Sequence, residues 1–376
     1  MSETIDAVAF ASDLIRCPSV TPASGEVFDR LEAALTPLGF TVHRWVMGEP
    51  PDGPTENIVA IRGEGGPHFG FAGHLDVVPA GEGWNGDPFA AEIVDGLLVG
   101  RGANDMKSAI AAYVSALSRL GPTGGTLSLL ITGDEEGYAT WGTPRIIDWL
   151  NERNIRPDMI LIGEPTSVDR LGDTVKIGRR GSVNMWIEVP GVQGHVAYPH
   201  RATNPIPPLA RVISALDSLH LDDGTEQFPP SNLEFTAIST PTNASNVIPG
   251  SATAQLNIRF NNLQSGADLV KMVEEIAERE APGSTVKARI SGEAFLTPPG
   301  PLYDVVVAAI EEETGAKPEL STSGGTSDGR FLIQLCPVVD FGLPNATMHK
   351  VGECAAVQDI ETLSRIYEQI VRKVIG

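Results

Sequence analysis

Three segments place acids or a histidine directly behind a stretch that reads as a strand. His74 and Asp76 follow FGFAG, Asp134, Glu135 and Glu136 follow LSLLITG, and Glu164 ends DMILIG. In an open α/β sheet, ligands bind beyond the carboxyl ends of the strands, so these side chains can converge on one crevice. A single carboxylate at a strand end is ordinarily a helix cap or a turn residue. Three such ends make convergence the better account. GRGANDMK adds Asp105 at the start of a helical stretch, where an acid alone would serve the helix dipole. NATMHKVGE adds His349, whose ordinary role would be a solvent-facing loop histidine, while His43, His68 and His220 have no such neighbours and read as surface residues. Two histidines and three carboxylates without a thiolate form an oxygen and nitrogen donor set that suits a divalent cation, zinc first. Five ligands exceed what one catalytic zinc needs, and a carboxylate shared between two ions resolves the excess. Paired ions about 3.5–4 Å apart clamp a water and polarise a carbonyl at once. Of the adjacent Glu135 and Glu136, one would then be a base and the other a ligand.

The elements that must position these groups are legible. NIVAIR, HFGFAG, TLSLLIT and DMILIG read as strands, and Asp105 to Leu120 as a helix. This is the grammar of an α/β domain, a mostly parallel sheet covered by helices. From about residue 180 the pattern changes. SVNMWIEV, NPIPPLARVISALDSL, NLEFTAIST, SATAQLNIRF, GADLVKMVEEIAERE and STVKARISG give the order β-α-β-β-α-β, a ferredoxin-like unit. The expectation is a catalytic domain of residues 1–178 and 294–376, closed by the helix IETLSRIYEQIVRKV, with residues 179–293 inserted as a lid or dimerisation domain.

Bulk properties narrow the function. At 376 residues the chain suits two domains, and 41% hydrophobic with 20% charged residues is a globular profile. The net charge of −21 repels phosphate backbones and anionic lipid, which argues against nucleic-acid and membrane-surface partners. An anionic small molecule would therefore need a local basic cluster, and Lys176, Arg179 and Arg180 form one. Cys17, Cys336 and Cys354 are odd in number and widely spaced, as idle thiols in a reducing compartment would be. The N-terminus carries acids where a signal peptide carries lysines, and its apolar residues Ile5, Val8, Ala11 and Ile15 have helical spacing. With no apolar run of membrane-spanning length, the expected location is the cytoplasm.

The strings FAGHLDVVP, GRGANDMK, GDEEG and IGEP, in this order, resemble the di-zinc aminoacylase and carboxypeptidase family of metallohydrolases. VKIGRRGS, GVQGHVAYPH, NVIPG, SGGTSDGRF and NATMHKVGEC resemble the branch that removes a succinyl group from diaminopimelate, a step toward lysine and cell-wall precursors. The resemblance implies two zinc ions per subunit, for which cobalt can substitute. His74 and Glu164 would hold one, Glu136 and His349 the other, and Asp105 would bridge them. It further implies that Asp76 orients the His74 imidazole, that Glu135 is the general base, and that the Asp105–Met106 peptide is cis. Lys176, Arg179 and Arg259 would bind substrate carboxylates, and Tyr198, Asn246, Gly325, Thr326 and Asn345 would contact substrate or product. The inserted domain would form a homodimer through which His195 reaches the partner's site. Acetylornithine deacetylases and carboxypeptidases of the same family are the alternative reading of the substrate.

Overall fold

A computed structural model describes residues 4–376. The chain divides into two compact units. The first takes the described chain up to Ile177 together with Thr297–Ser321 and Ser327–Gly376, and the second takes Gly178–Leu296 and Thr322–Thr326.

An eight-stranded sheet organises the first unit, running Thr41–Met47, Thr55–Arg62, Thr126–Thr132, His68–His74, Met159–Ile162, Val338–Asp340, Thr174–Lys176 and Glu319–Ser321 across its width. The strands around His68–His74 are parallel, and the two strands at the Thr41 edge are antiparallel. The central strands are buried along most of their length, which is why they read as continuous apolar runs rather than alternating ones. Helix Lys107–Ser118 is buried at every position, so its alanine-rich sequence lets neighbours pack against it from all sides. Phe71 stacks on Tyr113 at 4.0 Å and meets the edge of Tyr367, whose hydroxyl donates to the Phe341 carbonyl at 2.7 Å. Those contacts tie the sheet to that helix and to the closing helix Val357–Ile375.

The second unit carries a four-stranded antiparallel sheet in the order Asn232–Ser239, Ser251–Phe260, Gly181–Pro190 and Thr285–Gly292. Strand Ser251–Phe260 alternates buried and half-buried residues. Its inward residues pack with Val183, Met185 and Ile187 against Leu209, Val212 and Leu216 of helix Ile206–Asp217 and Leu269 and Val273 of helix Gly266–Glu280. The β-α-β-β-α-β order follows from that one apolar face. Prolines 207 and 208 occupy the first turn of their helix, where the missing N–H costs nothing. Helix Gly266–Glu280 starts behind Ser265, whose hydroxyl accepts from the Asp268 N–H.

Candidate metal centre

Register brings the first ligands level. In the parallel pairing His74 lies opposite Thr132 and Ala72 opposite Ile162, so the strands end side by side and deliver His74, the Asp134–Glu136 turn and Glu164 to one edge. Gly73 and Gly163 precede two of these residues. A Cβ at Gly163 would lie 2.7 Å from the Phe71 ring and 2.8 Å from the Met106 methyl, and one at Gly73 would meet that methyl at 2.5 Å. The absence of side chains there lets Met106, and with it Asp105, press against the strand ends. The Asp105–Met106 bond is cis.

Asp105 stands between two imidazoles. Its Oδ1 is 3.1 Å from His74 Nε2 and its Oδ2 is 3.3 Å from His349 Nε2. His74 Nε2 is also 3.6 Å from Glu164 Oε1, and His349 Nε2 is 2.9 Å from Glu136 Oε1. The result is two groups that could each hold a metal ion, His74–Asp105–Glu164 and Asp105–Glu136–His349, each with its donor atoms within 4.8 Å of one another. His349 adopts a φ of 61°, the left-handed region that a β-carbon disfavours. The Thr347 hydroxyl holds the loop there, donating to the Cys354 carbonyl at 2.8 Å and accepting its N–H.

The His74 tautomer follows from its partner. Nδ1 is 2.9 Å from the Asp76 carbonyl oxygen, which can only accept, so Nδ1 carries a proton and Nε2 is the nitrogen that faces Asp105 and Glu164. The bond to Asp76 thus runs through its main chain rather than its carboxylate. That carboxylate, whose nearest oxygen is 3.6 Å from Nδ1, instead accepts from the Glu135 and Glu136 backbone N–H groups at 3.2 and 3.0 Å. Asp76 thus holds His74 with its main chain and the paired glutamates with its side chain. Asp134 has a structural place, accepting from the Trp141 N–H.

Electrostatics fit a cationic occupant. Burial alone would push His74 down, yet the hydrogen bond to Asp105 and the charges of Asp105, Asp76 and Glu164 raise it well above its ordinary value. Hydrogen bonds to Asp105 and Glu136 push His349 up to about 10. Burial opposes ionisation of Asp105, but the two imidazoles hold it well below the usual carboxylate range. Carboxylates that draw this much positive charge, joined to two imidazole nitrogens and no thiolate, match a pair of divalent ions. Burial, followed by the nearby Asp328 charge, pushes Glu135 up to about 8. Sequence reasoning missed Asp328, which accepts from the Thr143 hydroxyl at 2.6 Å. Taken by itself, the run SGGTSDGR that contains it reads as a flexible loop. His68 was misplaced as a surface residue: it is half-buried, with Nε2 3.0 Å from the Ser128 hydroxyl, and burial pushes it down.

The other expected site residues divide between the units. Lys176 and Asn345 share the first unit with the ligands. Buried Lys176 donates to the Ser321 hydroxyl at 3.2 Å, and the Asn345 N–H donates to the Ser167 carbonyl. In the second unit, Arg179 is buried and donates to the Gly325 carbonyl at 3.1 Å, next to Thr326. Arg259 lies opposite Ser182 and Asn232, and burial, with neighbouring Arg180, lowers it from its ordinary value. His195 and Asn246 come together where Val196 N–H donates to the Asn246 carbonyl at 3.1 Å, and the Tyr198 ring centre is 5.8 Å from that of His195. His195 Nδ1 accepts from the Ala197 N–H at 3.0 Å, so the donor of this ring is Nε2.

Residues 70–373 match the model of peptidase family M20/M25/M40. The chain belongs to that family. It is 59% identical over 372 residues to a succinyl-diaminopimelate desuccinylase of Rhizorhabdus wittichii, covering 99% of both chains. It is 61% identical over 371 residues to an enzyme of the same name from Zymomonas mobilis, again covering 99% of both. Among solved structures, an M20 family metallo-carboxypeptidase from Sulfolobus solfataricus superposes with a TM-score of 0.81 at 16% identity, covering 100% of this chain and 99% of that one. A Bacillus subtilis protein described as a dinuclear metal-binding peptidase of the M20 family matches with a TM-score of 0.71 at 17% identity, covering 98% and 97%. The likeness to the solved structures shows the shared α/β fold.

Proposed function

We propose that this family member hydrolyses N-succinyl-LL-2,6-diaminopimelate to succinate and LL-2,6-diaminopimelate with two zinc ions. The observation that carries the reading is the shared carboxylate: Asp105 presents one oxygen to each imidazole, with the glutamate pair beside it. The relatives at 59 and 61% identity over 99% of the chain supply the substrate. In this reading His74 and Glu164 hold one ion, Glu136 and His349 the other, and Asp105 both. When bound, the ions act as Lewis acids, easing deprotonation of water and polarising the amide carbonyl. Cobalt can replace zinc in such a donor set.

The chain's own residues do the rest. Glu135 takes a proton from the attacking water as the C–O bond forms and delivers it to nitrogen as the C–N bond breaks. Burial raises Glu135 above an ordinary carboxylate, which favours its holding the proton between the two steps. Asp76 keeps Glu135 in place through its backbone N–H. Lys176, Arg179 and Arg259 supply the local positive charge that a succinyl carboxylate requires in a chain of net charge −21. Gly325, Thr326 and Asn345 border the substrate. The enzyme works as a homodimer through the second unit in this reading, and His195 donates from Nε2 to the developing oxyanion in the partner's site, with Tyr198 and Asn246 crossing alongside. Its three cysteines are free, which fits a cytoplasmic enzyme.

The test is succinate release from N-succinyl-diaminopimelate by protein before chelation, after chelation and after zinc is restored. Activity that vanishes and returns supports the reading. Turnover of N-acetylornithine in preference to the succinyl compound would overturn the substrate, and full turnover after verified metal removal would overturn the mechanism.

A further inference from the structure

Glu353 is wholly buried and takes no part in the chemistry described above. Its surroundings are specific. Oε1 accepts three backbone N–H groups, from Gly102 at 3.1 Å, Asn104 at 2.8 Å and Asp105 at 3.0 Å. Oε2 accepts from Arg101 Nη1 at 2.5 Å. Arg101 is itself 2% exposed, donates to the Ala80 carbonyl at 3.1 Å, and lies over the Trp84 ring. The Glu353 carbonyl accepts the Gly100 N–H at 2.9 Å, in line with the pairing of Cys354–Ala356 with Leu97–Val99.

One carboxylate therefore gathers the backbone of the turn that ends at Asp105. Glu353 also stands four residues beyond His349, on the same loop. A second tie joins the two segments, because Asn104 Nδ2 donates to the Pro344 carbonyl at 2.6 Å. The turn bearing Asp105 and the loop bearing His349 are far apart in sequence, and Glu353 locks one against the other. The N–H it holds belongs to the residue whose two carboxylate oxygens face both imidazoles. A rotation of that residue would move both oxygens at once.

We propose that Glu353 is a positioning residue that sets the orientation of Asp105 and thereby the affinity of both metal groups. The proposal rests on the reading of Asp105 as the shared ligand. Outer partners of metal ligands commonly change affinity by 10–100-fold when removed.

The experiment compares Glu353→Gln and Arg101→Met with the wild-type full-length protein. Zinc binding to metal-free protein is followed by titration calorimetry, melting by circular dichroism, and kcat and KM on the succinyl substrate. Glutamine keeps the size and one acceptor oxygen but turns an amide NH2 toward Arg101 or the turn. Glu353→Gln is expected to weaken zinc at both sites by about 10–100-fold and to lower kcat, with KM nearly unchanged. Arg101→Met leaves all three backbone bonds to Oε1, so it is expected to lower the melting temperature with much smaller loss of zinc affinity. Should Glu353→Gln unfold, Glu353→Asp provides the second variant, since its shorter arm keeps the charge while pulling away from the turn. Wild-type zinc affinity in a folded Glu353 variant, or equal zinc loss in Arg101→Met at the same drop in melting temperature, would reduce Glu353 to a structural buried charge. Asp105→Ala separates this from failure of the underlying reading: if it binds two zinc ions normally, Asp105 is not the shared ligand at all.

Discussion

Replacing Asp76 by asparagine distinguishes two ways in which that residue could serve the centre. Its carboxylate is fully buried and accepts the Glu135 and Glu136 N–H groups at 3.2 and 3.0 Å, while its carbonyl fixes His74. An asparagine offers one oxygen and turns an NH2 toward the other amide, so one of the two bonds is lost. A buried N–H without an acceptor costs roughly 1–3 kcal/mol, which is the expected loss of stability. If the Glu135 carboxylate shifts by about 1 Å as a result, kcat should fall on the order of 10²-fold. The His74 ring is untouched, because its acceptor is main chain. Metal in the His74–Asp105–Glu164 group should therefore persist. The assay is zinc content after dialysis and zinc affinity by titration, beside kcat and KM, with His74→Ala as the reference for a lost ion. Asp76→Asn that sheds metal as His74→Ala does would show that the carboxylate orients the imidazole after all. Unchanged kcat would show that the backbone bonds do not position the base.

The remaining predictions follow from the same geometry. Glu135→Ala should keep both ions yet lose most turnover, whereas Glu136→Ala and Glu164→Ala should lose metal as well, read as zinc per chain against kcat. Lys176→Ala or Arg179→Ala should impair a succinyl substrate far more than an uncharged acyl analogue, by several kcal/mol in kcat/KM if the charge is buried against a carboxylate; equal losses would make these residues general scaffolding. Mixing inactive His195→Ala and Glu135→Ala homodimers under subunit exchange should restore roughly a quarter of wild-type activity if His195 serves the partner's site. No recovery despite demonstrated exchange would confine His195 to its own chain.

The strand ends carrying His74, Glu135, Glu136 and Glu164 were legible because a long buried strand stands out as an apolar run and a polar residue at its end breaks it. Helices Gly266–Glu280 and Val357–Ile375 were legible from their apolar spacing. The three-residue strands Thr174–Lys176, Glu319–Ser321 and Val338–Asp340 are too short to show any period, so the far half of the first sheet was not. Glu353 and Arg101 were hidden for another reason. In sequence they are ordinary loop charges, and only the fold reveals that each is buried, that they pair with each other, and that Glu353 also takes backbone N–H groups about 250 positions away. Asp76 lay between these cases: its place beside His74 showed in the spacing, but which of its oxygens faced the ring did not.

The placement of strand Val338–Asp340 bears on how the protein is made. It lies between Met159–Ile162 and Thr174–Lys176, two strands that are close in sequence. Until the ribosome has delivered that late segment, the gap between them cannot close, and the nascent sheet keeps open edges of the kind that invite wrong pairing. The same stretch of translation brings His349 and then Glu353. A growing chain can gather His74, Asp105 and Glu164 early, but the second ligand group and the clamp on Asp105 arrive together near its end. A chain that stopped before residue 349 would therefore carry one incomplete metal group and a turn without its clamp.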